Sequence, residues 1–212
     1  MDEKSIENAI KEAISGGKKR NFRQSIEISI NLKDVDMSLP KNRIDEKVIL
    51  PHGRGQDARI GVFANGELAV KSKGIADLVI EGNELAEKAE DKRDARKIAN
   101  SVDFFIAEAP LMPNIGRYWG IFLGPRGKMP TPLPPAADPN PIIENLRKTI
   151  KIRSKDKKTF HALVGKEDMN VEDIARNILE VIKRIETKLE RGPNNIKSVY
   201  VKTTMGPSVK LR

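Results

Sequence analysis

The chain has 212 residues, 38% hydrophobic and 4% aromatic, with 39 Lys and Arg against 30 Asp and Glu for a net charge of +9. This apolar content supports one large domain or two ordinary ones and excludes a disordered chain. The lack of cysteine excludes disulfides, thiolate catalysis and cysteine-ligated metals. The opening MDEKSIENAIKEAISGG lacks a signal-peptide core and no run approaches 18 apolar residues, so a soluble, cytoplasmic protein without membrane spans is expected. Its cationic surplus favours a polyanionic partner, nucleic acid before anionic membrane.

In chain order, Ile6, Ile10, Ala13 and Ile14 share one face of a predicted helix over residues 5–14 that Gly16-Gly17 ends. Next, Ile26, Ile28, Ile30 and Leu32 alternate with Ser25, Glu27, Ser29 and Asn31, the period of a half-buried strand. A short strand at Val48–Leu50 stops at Pro51 and the Gly53-Arg54-Gly55 turn. From Arg59 the pattern changes to RIGVFA, DLVIEG, the charged helix ELAEKAEDKRDARKIANSV and DFFIAEA, which predicts a parallel α/β layer. Past Pro110 the segment is rich in Gly and Pro, including GPRGKMPTPLPP, and PIIENLRKTI reads as one more helix. KIRSKDKKTFHALVG reads as a strand pair or as one strand with a basic approach. The strongest helix follows, with Ile174, Ile178, Val181, Ile182, Ile185 and Leu189 on one face, Asn170 as its cap and Gly192-Pro193 closing it. SVYVKTT supplies the final strand.

The fold class expected is α/β with two domains: a split α+β domain from both chain ends, residues 1–63 and 152–212, and an inserted α/β domain, residues 64–151. These three segments hold 12 basic and 10 acidic, 14 and 8, and 13 and 12 residues respectively, so the polyanion site is expected on the split domain.

Of the glycine-rich loops, HGRGQ lacks dinucleotide-binding spacing, and GPRGKMP has Met129 where a phosphate-binding loop needs Ser or Thr. No cofactor is expected, although an α/β enzyme with a nucleotide cofactor in the inserted domain is the rival reading. His52 and His161 stand in separate segments without further ligands, so neither a metal site nor a catalytic residue is expected. His161 reads equally as a polar strand residue and as an RNA contact. Lys18, Lys19, Arg20 and Arg23 before the first long strand, and Lys158 with its neighbours before the His161 strand, are candidate accessory phosphate contacts. Phe22 is the one aromatic beside the first cluster, which argues against an extended stacking platform and for recognition of folded RNA by shape, backbone and 2′-hydroxyls. TTMGPS suits such recognition, since Thr203, Thr204 and Ser208 offer hydroxyls, Gly206 permits close approach and Pro207 stiffens the loop.

FRQSIEISINL, LPHGRGQ, GPRGKMP, HALVGK and SVYVKTTMGPSV, in that order, resemble the ribosomal L-one family of the large subunit's mobile side stalk, and APLMPNIGRYWG is similar to its archaeal branch. The resemblance covers essentially the whole chain. It implies a Rossmann-like domain inserted through two hinge strands and a first domain that holds large-subunit ribosomal RNA. It also implies help in releasing deacylated tRNA from the exit site and repression of translation through the chain's own mRNA. The implied protein is non-enzymatic, needs no cofactor and is a monomer when free. By motif, the RNA-binding strip would run through Phe22, Ser25 and Glu27, then His161, Gly165 and Lys166. Ser198, Thr203, Thr204, Met205, Gly206, Pro207 and Ser208 would complete it, with Met205 packed on a ribose or base. Lys202, Lys210 and Arg212 would add non-specific attraction. GPRGKMP reads as a structural loop of the inserted domain in preference to a second RNA contact.

Overall fold

The alternation of SIEISINL is realised as a strand whose apolar residues are buried and whose polar residues stay partly exposed. This computed structural model describes residues 2–18 and 20–212, which leaves the predicted contact Lys19 outside the described residues. Contacts divide the chain into two units, Met1–Asp57 with Lys148–Arg212, and Ala58–Arg147. These boundaries differ from those read in the sequence because strand pairing sets them. Strand β3 (Ile60–Ala64) pairs in parallel with β4 (Leu78–Glu81) and β5 (Phe104–Glu108), whereas β7 (Thr149–Arg153) pairs with β2 (Asp45–Ile49) of the split unit. Within the observed bounds the split unit holds 27 basic and 18 acidic residues and the inserted unit 12 and 12. The whole net charge of +9 therefore belongs to the split unit.

In the split unit, β1 (Ser25–Leu32), β8 (Thr159–Lys166), β9 (Ile196–Thr203) and β10 (Ser208–Lys210) form an antiparallel sheet in the order β10-β9-β1-β8. Helices α1 (Glu3–Ser15) and α7 (Val171–Lys188) bury Ile6, Ile10, Ile174, Ile178 and Val181 in one cluster with Ile26, Ile28, Ile30, Val199 and Val201. Each such side chain contributes about 1.5–3 kcal/mol of hydrophobic burial. That cluster covers one face of the sheet, and the alternate residues make up the other. Asn170 sits at the N-cap position of α7, but its side chain donates to Asp173 (3.4 Å) and caps no helix N–H, so Glu172 and Asp173 in the first turn supply the favourable charge.

In the inserted unit the parallel sheet runs β4-β3-β5-β6, with β6 at Thr131–Leu133. Phe63 and Phe105 stack at 5.3 Å on one face beneath α3 (Leu85–Glu90), α4 (Lys92–Ser101) and α5 (Met112–Leu123). Ile60, Val62, Phe104 and Ile106 pack beneath α2 (Gly66–Ser72) and α6 (Asn140–Arg147) on the other. The arrangement is a doubly wound, Rossmann-like layer. The structure corrects one sequence reading. The single charged helix is two, because the Asp91 carboxylate accepts from the N–H groups of Arg93 (2.8 Å) and Asp94 (3.3 Å) and starts α4 afresh. The Gly- and Pro-rich segment after Pro110 contains α5, which buries Ile115, Trp119, Phe122 and Leu123 despite its glycines and carries Pro113 in its first turn, where proline is tolerated.

Candidate nucleic-acid interface

Register places the polar residues of the open sheet face in rows. Lys202 lies opposite Glu27, which lies opposite Leu163, with Ser208 beyond Lys202 on the edge strand. The next row is Lys210, Tyr200, Ser29 and His161. The last is Ser198, Asn31 and Thr159, joined by side-chain hydrogen bonds from Thr159 to Asn31 (2.7 Å) and from Asn31 to Ser198 (2.8 Å). Cross-strand neighbours on one face stand about 4.5–5.5 Å apart, so Glu27 sits beside the Lys202 ammonium stem. A carboxylate on this cationic face thereby has a cation as its direct cross-strand neighbour.

At the Lys202 end, three segments are tied together. The Thr204 hydroxyl accepts from the Ser25 N–H (3.0 Å) and donates to the Ser25 carbonyl (3.2 Å), while the Thr204 N–H donates to the same carbonyl (3.0 Å). Gln24, only 5% exposed, accepts from the Met205 N–H (3.1 Å) and donates to Glu167 (3.3 Å). Arg23 pairs with Asp168 at 2.8 Å, and its hydrogen bond holds the Asp168 carboxyl below its usual range. This framework presents Met205, 61% exposed, and Phe22, 49% exposed, as bare apolar groups.

Residues 9–207 match the Ribosomal protein L1p/L10e family. The chain belongs to the ribosomal protein L1 family. It is 55% identical over 212 residues to the large ribosomal subunit protein uL1 of Archaeoglobus fulgidus, covering all of this chain and 99% of that one. Identity to the Methanocella arvoryzae protein of the same name is 53% over 212 residues, complete on both sides, and to that of Pyrococcus abyssi 52% over 213 residues, covering 97% of the latter. The family is one of structural ribosomal proteins, not enzymes, and the relatives bear out the archaeal type.

Within this L1-family chain, the predicted strip residues take different places. Ser25, Glu27, His161, Ser208 and, within the hydrogen-bonded row, Ser198 lie on the open face; Phe22, Thr204, Met205 and Pro207 lie at its Lys202 end. Lys166 is opposite Ser25 at the end of β8. Thr203 differs: it is 1% exposed and opposite Ile26, so its side chain points to the core face, where a Cβ on Gly206 would fall on its hydroxyl oxygen. Gly165 is buried with Ile174 and Met169 each 3.1 Å from the position of a Cβ, which makes it a packing glycine. Gly206 and Pro207 close the loop onto α1, since Pro207 lies 2.9 Å from where Gly16 would carry a Cβ. Lys18 and Arg20 lie in the irregular approach to β1, and Lys158 adjoins Asp36, a pair that helps lower the Asp36 carboxyl after its hydrogen bonds from Ser38.

Motifs outside the strip support it or stand apart. LPHGRGQ docks on α7: Asn177, fully buried, accepts from the His52 N–H (3.2 Å) and donates to Gly53 (2.8 Å) and Val164 (2.9 Å). Gly55, at φ +78°, leaves no room for a Cβ beside Lys166 and Met169, so this loop braces the end of β8. In GPRGKMP, Lys128 donates to the carbonyls of Ala99 (2.9 Å) and Val102 (2.6 Å) and Arg126 to that of Phe122 (2.8 Å), fastening the ends of α4 and α5. Burial pushes the Lys128 ammonium below its ordinary value, with Asp103 opposing the shift. At the carboxyl ends of β3 and β5, where doubly wound folds hold nucleotides, Glu108 accepts from the Asn65 N–H (2.9 Å) and Asn65 from the Gly82 N–H (2.8 Å). A carboxylate already faces the start of α2 where an anionic phosphate would have to approach. Sequence reasoning missed Gln24 and Tyr200 as site residues; strict alternation from Val199 and Val201 was the available signal for Tyr200, and Gln24 had none.

Proposed function

We propose that this chain is a structural constituent of the large ribosomal subunit, acting in the cytoplasm, whose split unit holds the ribosomal RNA of the mobile side stalk. Through that RNA it assists release of deacylated tRNA from the exit site, and through a similar structure in its own mRNA it represses translation. Family membership supports the ribosomal role, and relatives named as large-subunit proteins support the subunit. The observation that carries the RNA reading is the coincidence, on one unit, of the entire net positive charge with an open sheet face and a braced loop displaying Met205. Such a surface recognises folded RNA by shape and backbone, with charge adding sequence-independent attraction. Filter binding of the full chain over a salt series to the stalk fragment, a scrambled fragment and its own mRNA leader tests the reading. The stalk fragment and leader should compete with one another and exceed the scrambled RNA at every salt. Equal binding of all three would reduce the chain to a non-specific cationic binder.

A further inference from the structure

Of the middle row of the open face only His161 belongs to the expected strip, and the row's composition differs from its neighbours. Ser198, Asn31 and Thr159 spend their side chains on one another at 2.7–2.8 Å, and Glu27 sits beside Lys202. In the middle row, Tyr200 and His161 flank Ser29, with Lys210 on the outer side of Tyr200. Val199 and Val201 are fully buried, so Tyr200 stands on the open face, half-exposed. Strands are about 4.8 Å apart, which puts the Tyr200 and His161 positions about 10 Å apart with the small Ser29 between. Two rings across a small residue, beside a hydrogen-bonded row, form a shelf about the width of one nucleotide. A cation lies at its edge for a phosphate.

We propose that Tyr200 is a stacking residue for one unpaired nucleotide of the bound RNA, with His161 bounding the shelf and Lys210 facing the adjoining phosphate. This rests on the RNA reading above and adds one base contact to a surface otherwise suited to shape. Aromatic rings accept any base face, so the contact adds affinity without reading sequence. Tyr200 touches no catalytic group and its ring is not in the buried cluster, so substitution leaves the fold in place.

The test is binding of the full chain to the stalk fragment by Tyr200→Phe, Tyr200→Leu, Lys210→Gln and Met205→Ala, with melting temperatures recorded. Tyr200→Phe should bind like wild type, whereas Tyr200→Leu should lose about 5- to 100-fold at an unchanged salt slope. Lys210→Gln should lower the salt slope by about 0.7. A fragment carrying single abasic substitutions should show one position whose loss and that of Tyr200→Leu do not add. Wild-type binding by Tyr200→Leu, or additive losses at every abasic position, would overturn the stacking role. If Met205→Ala still loses binding in that event, the RNA surface stands and only the shelf fails; if Met205→Ala also binds normally, the surface itself is wrong.

Discussion

Thr204, expected as an RNA contact, turns its hydroxyl to the backbone of its own sheet. Its hydroxyl extends the β1–β9 ladder by one rung of side-chain bonds to Ser25, accepting at 3.0 Å and donating at 3.2 Å. Because Met205 follows directly, the rung sets where that methionine is displayed. We expect Thr204→Ala to cost about 0.5–1.5 kcal/mol of stability, the net value of a hydrogen bond at a site that water can reach. It should also weaken stalk-RNA binding, and Thr204→Ser should restore both. Urea denaturation beside filter binding checks this; a Thr204→Ser variant as weak as Thr204→Ala would place the methyl, not the hydroxyl, at the contact. The open-face residues were legible in the sequence because Ser25, Glu27, Ser29 and Asn31 alternate with four buried apolar residues. Thr203 was not, since a buried Thr is spelled like an exposed one. Gln24 was hidden more deeply, as its partner Met205 is 181 residues away and only tertiary structure joins them.

Among the elements, the long strands and the two long helices of the split unit followed from periodicity, whereas β10 and α5 did not. Strand β10 has three residues, too few for a pattern, and is made by pairing with β9. Helix α5 carries Gly116 and Gly120, which depress helix propensity by about 1 kcal/mol each, and is held by the burial of Trp119 with its indole N–H donating to the Leu85 carbonyl (3.0 Å). The β2–β7 pair depends on charge as well as on Val48, Ile150 and Ile152. Glu46 of β2 accepts from Arg184 (2.9 Å) and pairs with Lys188 (3.2 Å), both on α7. Burial pushes the Glu46 carboxyl up, but the hydrogen bonds and charges of Arg184 and Lys188 together outweigh it and hold it below its ordinary 4.5. A depressed folded value means the contribution is complete above pH 4.5 and fades as pH falls through the folded value. Glu46→Gln should therefore cost about 1.5–3 kcal/mol at pH 7, the range for a hydrogen bond to a charged group, and progressively less below pH 4.5. Chemical denaturation of both proteins at pH 7 and pH 3 measures the difference, and a gap that stays constant between them would remove the ion pairs from the account.

At the scale of the whole molecule, charge is distributed more sharply than the sequence boundaries suggested. Moving the divisions to 57/58 and 147/148 transfers Arg59 to the inserted unit and Lys148 and Lys151 to the split one, which leaves the former neutral and the latter at +9. The two units thus have different electrostatic parts to play with a polyanion. Association with RNA releases counterions in proportion to the phosphates neutralised, so the slope of log affinity against log salt counts contacts. If the split unit supplies them, Lys166→Gln and Lys202→Gln should each lower that slope by about 0.7–0.9, since both residues lie at the braced end of the open face. The double variant Lys92→Gln with Arg96→Gln, on the exposed side of α4, removes twice the charge of either single variant, from the inserted unit. It should shift affinity little and leave the slope unchanged, because at physiological salt the Debye length of about 8 Å screens charges that do not meet phosphate directly. Salt titrations of the three proteins with the stalk fragment decide the matter. A slope lowered equally by the inserted-unit pair would mean that RNA reaches α4 as well, and that net charge was a poor guide to where this chain holds its partner.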